Sequence, residues 1–131
     1  MYQNKESKEV VFPELSYSIV GCAFEVYNEL GSGFPEKYYQ KALAIELKTK
    51  QIIFTEQVYF PLEFKSELVG KNYFDFLIDD KIVVELKRGN HFSKSHFDQL
   101  LRYLKVSNKK LGLLINFTSE GVQVKRILNL Y

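Results

Sequence analysis

The sequence predicts an α/β (α+β) domain with a mixed central β-sheet flanked by helices. Three observations carry that expectation. Apolar residues before Gln51 recur at helical spacing, those after it fall into short strand-like runs, and one further helical segment interrupts the strands after Ser93. With 131 residues the chain is the size of one domain and long enough to enclose a core. Residues 1–14 are polar and charged with little periodicity and read as a flexible N-terminal arm; residues 15–131 read as the single domain.

From Ser16 onward Leu15, Ile19, Cys22, Ala23, Val26 and Leu30 recur at steps of three and four, the stripe of an amphipathic helix. Gly31 and Gly33 end it, because glycine takes the left-handed cap conformation without strain. Pro35 suits the first turn of a second helix running to about Lys50, with Tyr39, Leu43 and Leu47 as its stripe and Glu36 on the same side. Strand pieces follow at Ile52–Thr55, Val58–Phe64 and Glu67–Leu68, and Pro61 places the second at an edge or bulge. Gly70-Lys71-Asn72 reads as a turn, followed by the strands Tyr73–Ile78 and Ile82–Arg88 around Asp79-Asp80-Lys81. Gly89-Asn90 breaks the second of these, and Ser93 or Ser95 can cap a third helix whose core face is Phe97, Leu100, Leu101 and Leu104. Strands Leu111–Phe117 and Val122–Leu128 close the chain around a turn at Ser119-Glu120-Gly121.

Several function classes are excluded or disfavoured at this level. One cysteine, Cys22, rules out an internal disulfide and a cysteine-rich zinc site, and its place in a helical stripe marks it as a small buried hydrophobe. No apolar run approaches the roughly 18 residues of a membrane span, and the polar start lacks a signal-peptide core. These features predict a cytoplasmic protein without membrane association. The net charge of +2 is close to neutral, so any phosphate-binding surface must come from local clustering.

Chemistry concentrates in the stretch YFDFLIDDKIVVELK, residues 73–87. Alternation puts Tyr73, Asp75 and Leu77 on one face and Phe74, Phe76 and Ile78 on the other. In the next strand Val83, Glu85 and Lys87 oppose Ile82, Val84 and Leu86. If both apolar sets face one core, Ile78 pairs with Ile82 and Asp75 lies across from Glu85. Asp80 or Lys81 then takes a turn conformation usually given to glycine. Opposed carboxylates destabilise a sheet unless a cation compensates. Lys87 supplies one positive charge; a divalent metal held by Asp75, Glu85 and a backbone carbonyl would supply the rest, and oxygen ligands favour Mg2+ or Mn2+ over zinc. The alternative is a solvent-facing hairpin in which Glu85 and Lys87 pair weakly.

Two further strings bracket the hairpin. Gly33-Phe34-Pro35-Glu36-Lys37-Tyr38-Tyr39 spells G-x-x-E-x-x-Y, and His96-Phe97-Asp98-Gln99-Leu100-Leu101-Arg102-Tyr103 spells H-x-x-Q-x-x-x-Y, ahead of KVSNKKLGLLINF. Together with Asp75 and Glu85-Leu86-Lys87, they closely resemble the GxxExxY family of the PD-(D/E)XK nuclease superfamily, over roughly residues 15–129. Phe74 stands where the superfamily's name-giving proline would precede the Asp. The resemblance implies a restriction-endonuclease-like core, with Asp75, Glu85 and Lys87 catalytic. It implies Asp75, Glu85 and the Leu86 backbone carbonyl as metal ligands, joined by Glu36 from the first helical motif. Glu36 on an apolar helix face reads equally as an inward carboxylate satisfied by Tyr, Lys or a backbone cap. Gln99, Tyr103 and His96, on one side of their helix, are the substrate-binding residues the resemblance implies.

The function so implied is Mg2+- or Mn2+-dependent hydrolysis of phosphodiester bonds in nucleic acid, DNA in preference to RNA. The alternative is a nuclease-like module that binds nucleic acid or a protein partner without cutting. Lys87, Arg88, Lys94, Arg102, Lys105, Lys109 and Lys110 are the local cations available to phosphates. A homodimer would let so small a domain grip a duplex.

Overall fold

The computed structural model describes residues 11–91 and 93–129. Helix α1 spans Pro13–Leu30 and α2 spans Glu36–Thr49. A five-stranded sheet follows, with strands β1 (Phe54–Phe64), β2 (Glu67–Ile78), β3 (Ile82–Arg88), β4 (Leu111–Thr118) and β5 (Gly121–Leu128) side by side in chain order. Helix α3, Lys94–Ser107, connects β3 to β4. That connection makes β3 and β4 the one parallel pair in an otherwise antiparallel sheet, since parallel neighbours need a crossover. The mixed sheet flanked by helices is the expected α+β architecture.

Helix ends follow their residues. Gly31 leaves α1 at φ 73 while its N–H donates to Tyr27 O at 2.7 Å. Ser93 caps α3, its hydroxyl accepting from Ser95 N at 3.1 Å. Helix α1 opens at Pro13, so Pro13 and Glu14 belong to it rather than to the expected arm, whose first ten residues lie outside the described ones. Among the described residues no helix is long and apolar enough to cross a membrane.

Two apolar layers sandwich the sheet. On one face Ile19, Cys22, Val26, Tyr39, Leu43 and Leu47 pack on Phe76, Ile78, Ile82, Val84, Leu86 and the odd-numbered residues Leu111–Phe117 of β4. On the other, Leu100, Tyr103 and Leu104 of α3 pack on Phe60, Phe74, Val83, Leu114 and Ile127. Strand β4 is buried throughout, as expected of a strand covered by helices on both faces. In α3, Tyr103 takes a core place, whereas Phe97, expected in the core, is exposed.

The first hairpin corrects the sequence reading. Strand β2 runs continuously through Gly70-Lys71-Asn72, which pair with Leu62, Pro61 and Phe60. The turn lies at Lys65-Ser66, both in the left-handed region at φ 51 and 66. Pro61 does sit on an edge strand, and the register shifts at Leu62/Glu63, next to it.

Candidate active site

The β2–β3 ladder begins in the expected register: Ile78 faces Ile82, Leu77 faces Val83 and Phe76 faces Val84. The connecting turn puts Asp79 and Asp80 in the left-handed region, so the strain falls on two aspartates and not on Lys81. Beyond Phe76 the backbone ladder gives way to side chains. The Leu86 N–H donates to Asp75 Oδ2 at 2.7 Å, and the Asp75 N–H donates to Glu85 Oε1 at 3.1 Å. Each carboxylate thus replaces a strand carbonyl as acceptor, wedging the strands apart where the acidic pair sits. Glu85 Oε2 lies 3.5 Å from Lys87 Nζ, with both side chains largely shielded from solvent.

Alternation fails at this point. Phe76 and Ile78 join the layer under α1 and α2, but Phe74 joins the layer under α3, where its ring lies 4.5 Å from that of Tyr103. The expectation that Phe74, Phe76 and Ile78 share a face is therefore corrected. The break falls on Asp75 and on Gln57, which occupies the corresponding gap in the β1–β2 ladder at φ 50. Hydrogen bonds to the next strand, not strand parity, fix the Asp75 side chain.

Electrostatics follow from burial. Desolvation, then the neighbouring Asp75 charge, pushes Glu85 up to about 8, with Lys87 and the Asp75 N–H opposing. Asp75 is raised as well, chiefly by burial, against the Leu86 N–H, Glu85 and Lys87. Two shielded carboxylates with one lysine leave excess negative charge, which a proton or a cation must balance.

Whether a divalent ion fits depends on the donors present. Among the described residues no three of His, Cys, Asp and Glu gather to form a cage. Asp75 and Glu85 offer carboxylate oxygen, and Leu86 points its N–H into the gap between β2 and β3. In a strand the carbonyl of a residue points to the same side as its N–H, so the Leu86 carbonyl faces that gap too. This open, all-oxygen set suits Mg2+ or Mn2+, which retain several waters.

The other expected residues fall in different places. Glu36, the first residue of α2, is exposed, which corrects the expectation that it points inward. Its charge nevertheless raises Asp75 and opposes the lowering of His96, so it stands at the rim of the site. His96 sits at the start of α3 with Nδ1 buried and without a hydrogen-bond partner among the described residues, and burial and the Lys87 charge lower its pKa. Gln99 Nε2 donates to Asn72 Oδ1 at 3.0 Å. Tyr103 is 6% exposed, its ring packed against Phe60 and Phe74.

Asn116 was not anticipated. It pairs with Lys87 in the β3–β4 register, is fully buried, and donates from Nδ2 to Gly89 O at 2.9 Å. Its Oδ1 has no hydrogen-bond partner among the described residues. The one amide in LGLLINFT was its only signal.

A family model of the PD-(D/E)XK nuclease superfamily matches residues 13–127, spanning both helical motifs and all of the sheet but its last residue. The chain belongs to the PD-(D/E)XK nuclease superfamily. The crystal structure of SSO0001 shares the fold of this PD-(D/E)XK chain, with TM-score 0.56 and 19% identity. That likeness covers 71% of this chain and 49% of SSO0001, about half the length of that chain. No curated protein matches.

Proposed function

We propose that this chain is a Mg2+- or Mn2+-dependent nuclease of the GxxExxY type, hydrolysing phosphodiester bonds of nucleic acid, with DNA preferred. The observation that carries this reading is the acidic pair itself: Asp75 and Glu85, hydrogen-bonded across a strand gap and raised in pKa, with Lys87 3.5 Å from Glu85. Such a pair costs folding stability unless a proton or a cation balances it, and carboxylates shifted in this way are a mark of functional sites. Asp75, Glu85 and the Leu86 carbonyl would hold the ion, with exposed Glu36 able to reach it through water. A bound divalent ion would supply Lewis acidity and charge neutralisation at a phosphate.

The protein's own groups do the positioning. Lys87 is held beside Glu85, where its ammonium can orient an attacking water and stabilise negative charge on the phosphoryl oxygens. Asn116 packs next to Lys87 in the register and offers its unpartnered Oδ1 as a second acceptor for that ammonium. Gln99 and His96, on α3, would contact the substrate, with Tyr103 packed beneath them against Phe60 and Phe74.

Calorimetry with Mn2+ should show one or more sites in the wild type and none in Asp75→Ala or Glu85→Ala. A panel of single-stranded, duplex and RNA substrates should be cut in Mn2+ by the wild type and left intact by Glu85→Ala. A protein that binds no divalent ion, with or without DNA, ends the nuclease reading. Metal binding with every substrate uncut points instead to the binding module.

A further inference from the structure

Between the β1–β2 hairpin and α3 lies a recess of about 240 Å³, lined by Phe60, Leu62, Asn72, Ser95, Gln99 and Arg102. Its floor is apolar and firmly set. The Phe60 ring meets Tyr103 edge-on at 4.7 Å and Phe74 at 6.0 Å, and Leu62 beside it is 42% exposed. Its wall is an amide pair, Gln99 bonded to Asn72 at 3.0 Å. That bond uses one polar atom of each side chain. Whichever way both amides are turned, one hydrogen-bond donor and one acceptor remain free at the wall. Arg102 at the mouth is exposed and has no ion pair among the described residues.

We propose that this recess takes an unpaired nucleobase of the substrate strand, so that the protein acts on single-stranded or frayed nucleic acid. The inference rests on the nuclease reading above and names its substrate class. An apolar floor of Phe60 and half-exposed Leu62, a donor beside an acceptor, and a cation at the mouth match the three parts of a nucleotide: π-face, base edge and phosphate. A base inside a duplex has its faces stacked and its pairing edge occupied, so it offers the recess a phosphate but neither π-face nor pairing edge. Placement fits as well. Asn72 precedes Asp75 by three residues on β2, about 10 Å at roughly 3.3 Å per residue, or about three stacked nucleotides at 3.4 Å each. On the helix side Gln99 lies one turn from His96, whose ring feels the Lys87 charge.

The test is fluorescence anisotropy on the full chain in EDTA, where no cutting occurs. The probes are a short labelled single strand, the same sequence as a blunt duplex, and a single strand carrying abasic residues. The single strand should bind about tenfold tighter than the duplex or the abasic strand, the scale of one stacked base. Leu62→Asp fills the floor with charge at a half-exposed position, so it should melt within a few degrees of wild type. It should nonetheless lose about tenfold in single-strand affinity, well beyond the smaller loss that the added negative charge causes with duplex. Asn72→Ala should give a smaller loss in the same direction. Equal affinity for single strand and duplex, undiminished single-strand binding by Leu62→Asp, or no single-strand binding overturns the inference. Cutting assays in Mn2+ keep the two readings apart. If Glu85-dependent cleavage persists while the recess variants bind normally, only the recess inference fails; if no strand is cut, the nuclease reading fails first.

Discussion

At Glu85 the fold holds a carboxylate where its charged form is disfavoured, and the pH dependence of stability should report it. Its pKa is raised from an ordinary 4.5 to about 8, so between those values the folded protein retains a proton that the unfolded chain releases. Stability then falls as pH rises through that window, because the native state binds more protons than the unfolded state. The Asp75 shift has the same sign and adds to the slope. The expected loss, on the order of a few kcal/mol between about pH 5 and pH 8, is measurable as a falling melting temperature in EDTA. Glu85→Gln, which stays neutral, should be more stable than wild type at pH 8 and fall less steeply across the window, keeping only the Asp75 contribution. Saturating Mn2+ should restore the wild type at pH 8 and leave Glu85→Gln unmoved. Parallel pH profiles for the two proteins would show that Glu85 is not held protonated.

Among the elements, α3 depends on close approach to the sheet. A Cβ at Gly112 of β4 would lie 3.1 Å from Leu100 Cγ and Cδ2, and Leu100 is fully buried. Gly112→Ala should therefore cost about 1–3 kcal/mol in urea unfolding and lift the helix that carries His96 and Gln99. A variant as stable as wild type would mean that α3 is not seated on Gly112. This packing also shows which parts of the fold were legible in the sequence. The β2–β3 register was readable because Phe76 and Ile78 must share a core with Ile82, Val84 and Leu86, which a one-residue slip would prevent, and the short turn favours pairing Ile78 with Ile82. The first hairpin was not, because its left-handed turn is built from Lys65 and Ser66, residues that carry little turn signal, while Gly70 falsely marks a break. Within the site, Asp75, Glu85 and Lys87 were found as a spacing, and the fold brings them together. The change of face at Asp75 escaped because it arises from bonds between strands. Glu36 misled because stripe position alone does not say whether the first residue of a helix is covered. Asn116 escaped because a single amide in an apolar strand looks like an ordinary core exception.

For the whole molecule, helices cover both faces of the sheet, and a net charge of +2 leaves little long-range attraction for a polyanion. Affinity for nucleic acid must then come from few contacts. Of the seven cations singled out in the sequence, three are already paired: Lys87 with Glu85, Lys94 with Asp98 and Lys109 with Asp80. Arg88, Arg102, Lys105 and Lys110 are exposed and have no ion pair among the described residues. Each phosphate neutralised on a single strand contributes about −0.7 to the slope of log affinity against log salt. One copy using all four would give about −3, and fewer contacts a shallower line. Arg102→Ala should lower the magnitude by about 0.7 while weakening all sequences alike. Two copies gripping one strand would double the slope, so titrations across a salt series also test for a homodimer on the substrate. A slope near −3 that drops with Arg102→Ala supports a single copy reading its strand through local contacts. A slope near zero would show that phosphates are not what this surface binds.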